Sequence, residues 1–277
     1  MDRMHLIFTF PLSTNRRLEF TGGYTRISYS NDAEVLYAIG DNVVSREKIT
    51  VPPPSGLDLV ESALAYVGDF AYDGLTGPVK GRRYRFEADP VVGTINFVSA
   101  LADYRQYLFL HPFTIAIRGF HYGRYLNDGD NERLAPLFIG YETWVRGYSA
   151  YSYDFTKCNG NIDQCPEFNR LTGSRIAVVN AEFRIPLLGT EQFGLIKFPY
   201  VPAEIAAFID GGAAWNKGNI PELKWERSDT AHVPVFSAGG AARFNLFGFM
   251  VLQFYYAYPF QRPSESWKWG LLIAPGY

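Results

Sequence analysis

Apolar and polar residues alternate with a period of two along almost the whole chain. From Arg175 to Ile185, one face takes Ala177, Val179, Ala181, Phe183 and Ile185, and the other takes Asn180, Glu182 and Arg184. Val235–Leu246 sets Phe236, Ala238, Ala242, Phe244 and Leu246 against Ser237, Arg243 and Asn245. Met250–Phe260 sets Met250, Leu252, Phe254, Tyr256, Tyr258 and Phe260 against Gln253 and Tyr255. Strict alternation is the signature of a strand with two unlike faces. The pattern predicts about twelve strands, at 5–12, 17–30, 34–49, 58–72, 82–92, 97–110, 113–126, 174–186, 204–215, 235–246, 250–260 and 266–275. Many reach the ~9–11 residues with which a tilted strand crosses a bilayer. No helix, low-complexity tract or linker interrupts them, so residues 1–277 read as one domain.

The connections alternate in length. "NLFGF" (245–249) and "LHPF" (110–113) are tight, whereas 126–173 and 216–232 are long. Short turns at one rim and long loops at the other are the pattern of a transmembrane β-barrel, with the short turns periplasmic. Alternation alone does not say which face meets water. A soluble sheet turns its polar face outward, and a membrane barrel turns it inward. Aromatics near strand ends (Tyr256–Phe260, Trp267, Trp269) and charges of both signs within strands favour the membrane. The interior charges are Arg83, Glu87, Asp103, Arg105, Arg118, Glu182, Asp210 and Arg243. The expected fold is therefore all-β, an antiparallel transmembrane β-barrel.

Composition is consistent with this. Aromatics make up 17% of the 277 residues, charged residues only 19%, and the net charge is −2. That balance gives no electrostatic reason to expect a nucleic-acid partner. The chain begins MDRMHLIFTF, which is not a signal peptide, so an exported protein is expected to have lost its start. Cys158 and Cys165 share one polar loop. Their spacing reads as a loop disulfide in an oxidising compartment, and a metal site needs more ligands than lie nearby.

Enzyme chemistry finds no foothold. His5, His111, His121 and His232 have no metal spacing, "GYSAYS" is not a nucleophile elbow, and "GGAARFN" lies within a strand. Asp69, Asp73, Glu87 and Asp89, near one rim, read as lumen ion-pair partners. No cofactor and no metal are expected.

Five segments resemble one family. "VRGY" (Val145, Arg146, Gly147, Tyr148) is similar to the loop motif of the BamA/TamA outer-membrane assembly barrels, also called the bacterial surface antigen barrels. "NAEFRIPLLG" (180–189) and "AAFIDGGAAWN" (206–216) resemble the strands that follow that loop. "DGLTGPVKGRRYRF" (73–86) resembles a periplasmic turn. The ending from Tyr255, with Trp269, Gly270, Ile273 and Tyr277 as its strand signal, resembles the last hairpin. Its style is similar to barrels fused behind TolB-like propellers.

The resemblance implies that loop 126–173 is extracellular and folds into the lumen, and that Arg146 meets Glu182 and Asp210. Parity agrees, because Glu182 lies on a polar face and Asp210 shares a face with Glu204. It also implies a barrel of about sixteen strands, of which this chain carries about the last twelve, hence an N-terminally truncated chain. The implied location is the bacterial outer membrane. The implied activity is non-enzymatic help in inserting or translocating other outer-membrane proteins, with the lipid bilayer, periplasmic adaptor proteins and unfolded clients as partners. Two alternatives stand beside it: a barrel that anchors or exports a missing N-terminal propeller or hydrolase domain, and a soluble β-barrel that binds a ligand.

Overall fold

A computed structural model describes residues 2–39, 42–153, 165–198, 200–228 and 231–273. Its strands are β1 (Asp2–Ser13), β2 (Arg16–Ile27), β3 (Asn31–Ile39), β4 (Asn42–Val51), β5 (Leu57–Asp69), β6 (Tyr72–Asp73), β7 (Pro78–Gly93), β8 (Phe97–Leu110) and β9 (Phe113–Tyr125). They continue as β10 (Leu137–Phe138), β11 (Thr172–Gly173), β12 (Arg175–Gly189), β13 (Ile196–Lys197), β14 (Ala203–Trp215), β15 (Val235–Leu246), β16 (Met250–Pro259) and β17 (Lys268–Ile273). A single 3₁₀ turn, Ala150–Ser152, and a four-residue helix α1, Pro166–Asn169, are the helical pieces among the described residues.

One thirteen-stranded sheet organises the chain. Its path runs β1-β2-β5-β7-β8-β9-β12-β14-β15-β16-β17, with β6 and β13 attached at its side. Neighbours along the path are antiparallel and follow one another in chain order, the skipped strands being the β3–β4 hairpin and two-residue pieces. This is a meander, the arrangement that successive amphipathic strands with tight turns form most readily.

One expected element differs. The span 34–49, read as a single strand, is a hairpin: β3 and β4 pair with each other from Asn31↔Val51 to Ile39↔Asn42, separately from the main sheet. Alternation runs on through a reversal without a break, and only the Gly40–Asp41 dipeptide, a two-residue turn signal, marks it in the sequence. Those two residues lie outside the described ones.

The two faces of the sheet are inverted relative to a water-soluble protein. On β12, Asn180, Glu182 and Arg184 are buried while Val179 and Phe183 are exposed. On β14, Glu204 and Asp210 are buried while Ile205 and Ile209 are exposed. The exposed apolar face continues through Phe8, Phe20, Leu64, Phe86, Leu108, Ile117, Phe254 and Leu271. An apolar surface of this extent is stable against lipid and not against water. The alternation gives this outcome because charges placed at every second position gather on the concealed side, where they pair.

The rims are unequal as well. At one, β1–β2, β8–β9 and β15–β16 join through two or three residues. At the other lie the β3–β4 excursion, the 126–174 segment and the 216–234 connection.

Candidate functional site: a buried arginine network under the long loop

The 126–174 segment packs against the charged face of the sheet. Ile139, Val145, Tyr148 and Leu171 from the segment are completely buried and share a cluster with Ile176 and Val178 of β12, Ala214 of β14 and Val235 of β15. Glycine makes this approach possible. A Cβ on Gly212 would sit 2.7 Å from Val145 Cγ2 and 3.1 Å from Ile139 Cδ1, so Val145 and Ile139 approach β14 this closely because position 212 has no side chain. Gly147 has φ +88°, the left-handed region in which glycine alone is unstrained.

Between these glycines sits Arg146, 2% exposed. Its guanidinium grips Asp210 with two bonds, Nε to Oδ2 and Nη2 to Oδ1, each 2.7 Å. The third nitrogen, Nη1, donates to Glu182 Oε1 at 2.7 Å. The backbone amide of Arg146 also donates to Asp210, at 3.2 Å. The guanidinium lies 3.5 Å from the ring centroid of Phe208. Planar fork geometry and an aromatic face are what distinguish arginine from lysine here.

The acids are shared. Glu182 accepts from Arg184 Nε at 2.9 Å and from Arg243 Nη2 at 2.7 Å. Arg243 donates to Glu204 at 2.9 Å and to Gln253 at 2.7 Å. Asn180 Nδ2 bridges Asp210 Oδ1 at 2.8 Å and the carbonyl of Trp144 at 2.7 Å. Three guanidiniums (Arg146, Arg184, Arg243) thus face three carboxylates (Glu182, Glu204, Asp210), and the network balances while tying the segment to β12, β14, β15 and β16. Burial of single charges at these depths costs several kcal/mol each unless partners and hydrogen bonds compensate.

Two further attachments reach the β16–β17 connection. The Tyr148 hydroxyl donates to the Phe236 carbonyl at 3.1 Å and accepts from the Gln261 amide at 3.0 Å. Burial pushes its phenol well above the ordinary value, so it stays a neutral donor. Arg262, 1% exposed, donates to Ser152 Oγ at 2.7 Å and pairs with Glu167. At the base of the segment, Asp130 accepts from Ser174 Oγ at 2.6 Å and from Arg175 at 3.2 Å.

Of the residues singled out in the sequence, the structure brings Val145, Arg146, Gly147 and Tyr148 together with Glu182 and Asp210. Cys165 is buried and in disulfide form; its expected partner, Cys158, lies outside the described residues. Trp269 and Ile273 point from β17 to the exposed face, and Gly270 faces Tyr255, whose ring a Cβ would meet at 2.4 Å. Tyr277 lies outside the described residues. Sequence reasoning placed Arg184, Arg243 and Glu204 on polar faces but gave them no partners, noted Gly212 only as the end of an Asp-x-Gly step, and passed over Arg262. Parity held the signal for the first three, and the doubled glycine after Asp210 held it for the fourth. Arg262 carries no periodic signal.

Comparison with known proteins fits this architecture. The Omp85 superfamily domain matches residues 3–268. No curated protein matches the sequence. Among solved structures, the crystal structure of BamA from Haemophilus ducreyi lacking POTRA domains 1–3 is similar in fold. Its TM-score is 0.64 at 15% identity, over 98% of this chain and 53% of that one. The chain thus spans about half the length of that relative. With the family model matching residues 3–268 and its charges turned inward from an apolar outer face, the chain belongs to the Omp85 superfamily, as an antiparallel transmembrane β-barrel of the bacterial outer membrane.

Proposed function

We propose that the chain assists the insertion or translocation of other outer-membrane proteins without catalytic turnover, and that the segment 126–173 is an internal strut holding one wall of the barrel in shape while the sheet edge beside it yields. The observation that carries this reading is the placement of Arg146, whose one side chain links the segment to β12 and β14 and, through Glu182, to β15 and β16. Such a strut makes that wall stiff. The sheet edge beyond it is β17, paired on one side with β16. An edge strand is the natural place for a client strand to add by main-chain pairing. On this reading the partners are the bilayer, unfolded outer-membrane β-barrel clients and periplasmic adaptor proteins.

Reconstitution tests it. The full-length protein is placed in phosphatidylcholine vesicles, and urea-unfolded outer-membrane porin is added. Protease-protected, folded porin is expected to form faster than in empty vesicles, and the Arg146→Ala protein is expected to lose that advantage. Equal rates with wild-type protein and with empty vesicles would overturn the assembly reading.

A further inference from the structure

Arginine is treated differently on the two faces of the sheet formed by β2, β7, β8 and the intervening β5. On the carboxylate-bearing face, Arg17 pairs with Glu19 at 2.6 Å, Arg83 with Asp69 at 2.9 Å, Arg85 with Glu19 at 2.6 Å and Arg105 with Asp103 at 2.8 Å. Their sequence neighbours Arg16 and Arg82 are exposed on the opposite, apolar face, and among the described residues neither has a carboxylate within ion-pair distance. Both stand at the short-turn rim. Arg16 opens β2 directly after the two-residue β1–β2 turn, and Arg82 lies near the start of β7.

Beside them is a compact aromatic group. Tyr66 and Tyr84 have ring centroids 5.3 Å apart, and the Tyr84 hydroxyl donates to that of Tyr66 at 3.1 Å. Phe86 stacks on Tyr84 at 5.7 Å, and Phe70 stacks on it at 6.3 Å. Arg82 lies over the Phe70 ring at 5.4 Å. Gly68 sets the geometry. It is opposite Arg16 on one side and Tyr84 on the other, and a Cβ there would fall 2.2 Å from the Tyr84 ring. The missing side chain lets Tyr84 lie across β5 toward Arg16.

Tyrosines at a barrel rim sit at the level of the lipid headgroups. A cation at that level with no acid of its own finds phosphate, and the guanidinium fork matches phosphate oxygens with two parallel hydrogen bonds. We propose that Arg16 and Arg82, standing over the Tyr66–Tyr84–Phe70 group, hold the phosphate of a membrane phospholipid at the short-turn rim. Lys80, exposed two residues before Arg82, adds positive charge beside it. This inference rests on the transmembrane fold and is independent of what the barrel does for its clients.

The test uses the full-length protein in a non-ionic detergent, titrated with phosphatidylglycerol, with bound lipid read by native mass spectrometry. Folding is checked first by heat-modifiable gel mobility, so a misfolded variant is not mistaken for a lipid-free one. Wild type is expected to retain a lipid that R16Q/R82Q binds about tenfold more weakly. R46Q, which alters an exposed arginine on β4 paired with Glu34 at 3.8 Å, is expected to bind as wild type does. Should the double variant lack the folded band, R82Q alone is read in the same titration. Undiminished binding by the folded arginine variants overturns the proposal. So does an equal loss in R46Q, or displacement of the lipid by millimolar inorganic phosphate, which would make this a site for a free anion.

Discussion

Arg146 has no inexpensive substitute. Removing its side chain strands Asp210, which is fully buried, and breaking a buried pair from one side costs about 3–5 kcal/mol. Arg146→Ala is therefore expected to lower the temperature at which the folded, heat-modifiable gel form converts to the unfolded one, and an unchanged conversion temperature would refute the role given to the network. Arg146→Lys keeps the charge but cannot reach both acids with a planar fork, and an intermediate temperature is expected. The glycine on the facing wall makes a separate prediction. Gly212→Val puts a side chain where Val145 already stands, and overpacking of this kind costs about 1–3 kcal/mol. It should expose loop 126–173 to added protease while leaving the strands protected; a loop as resistant as in wild type would count against the close approach. At this scale the sequence was readable wherever parity sufficed. Glu182, Asp210, Arg184 and Arg243 all fall on polar faces. Which arginine meets which acid depends on register across strands far apart in sequence, 61 residues for Arg243 and Glu182, and no local pattern contains that.

Elements were legible in proportion to how uniformly they alternate. β8, β9, β12, β14, β15 and β16 fall within a few residues of their expected bounds, because each has one face that must be buried and one that must not. The β3–β4 hairpin escaped, because a reversal inside an alternating run changes neither face. The long loop was legible only as a length and a motif. Its inward course depends on Gly212, Phe208 and the acids of the wall, which lie 36 to 66 residues further along the chain. A covalent restraint on this loop is testable in its own right. Cys165 stands directly before α1, and its pairing with Cys158 is the expectation from sequence. Unreduced, denatured protein should take up no thiol-specific maleimide, and labelling of two thiols per chain would dispose of the pairing.

For the molecule as a whole, the inverted faces decide more than any single site. Leucine, isoleucine and phenylalanine exposed along strand after strand, over buried ion pairs, give a body whose stable surroundings are lipid. This was legible in the sequence as alternation, but alternation is symmetric between inside and outside. The asymmetry came from where charges of both signs were placed and from the unequal rims. Strand pairing along the meander is local, whereas the network that braces it is not, and that difference explains why the architecture could be read ahead of its bracing.

The attachments of the long loop have a consequence for the order in which the chain can be finished. Arg146 closes on Asp210 across 64 residues, and the Tyr148 hydroxyl closes on Gln261 across 113. Synthesis and export deliver the loop well before either partner. The loop therefore cannot be seated on all its anchors until the last hairpin has arrived, and a chain cut short ahead of residue 261 keeps the loop but lacks its final anchor. Seating of the loop thus reports that the chain has been delivered at least as far as the β16–β17 connection: a built-in check on progress.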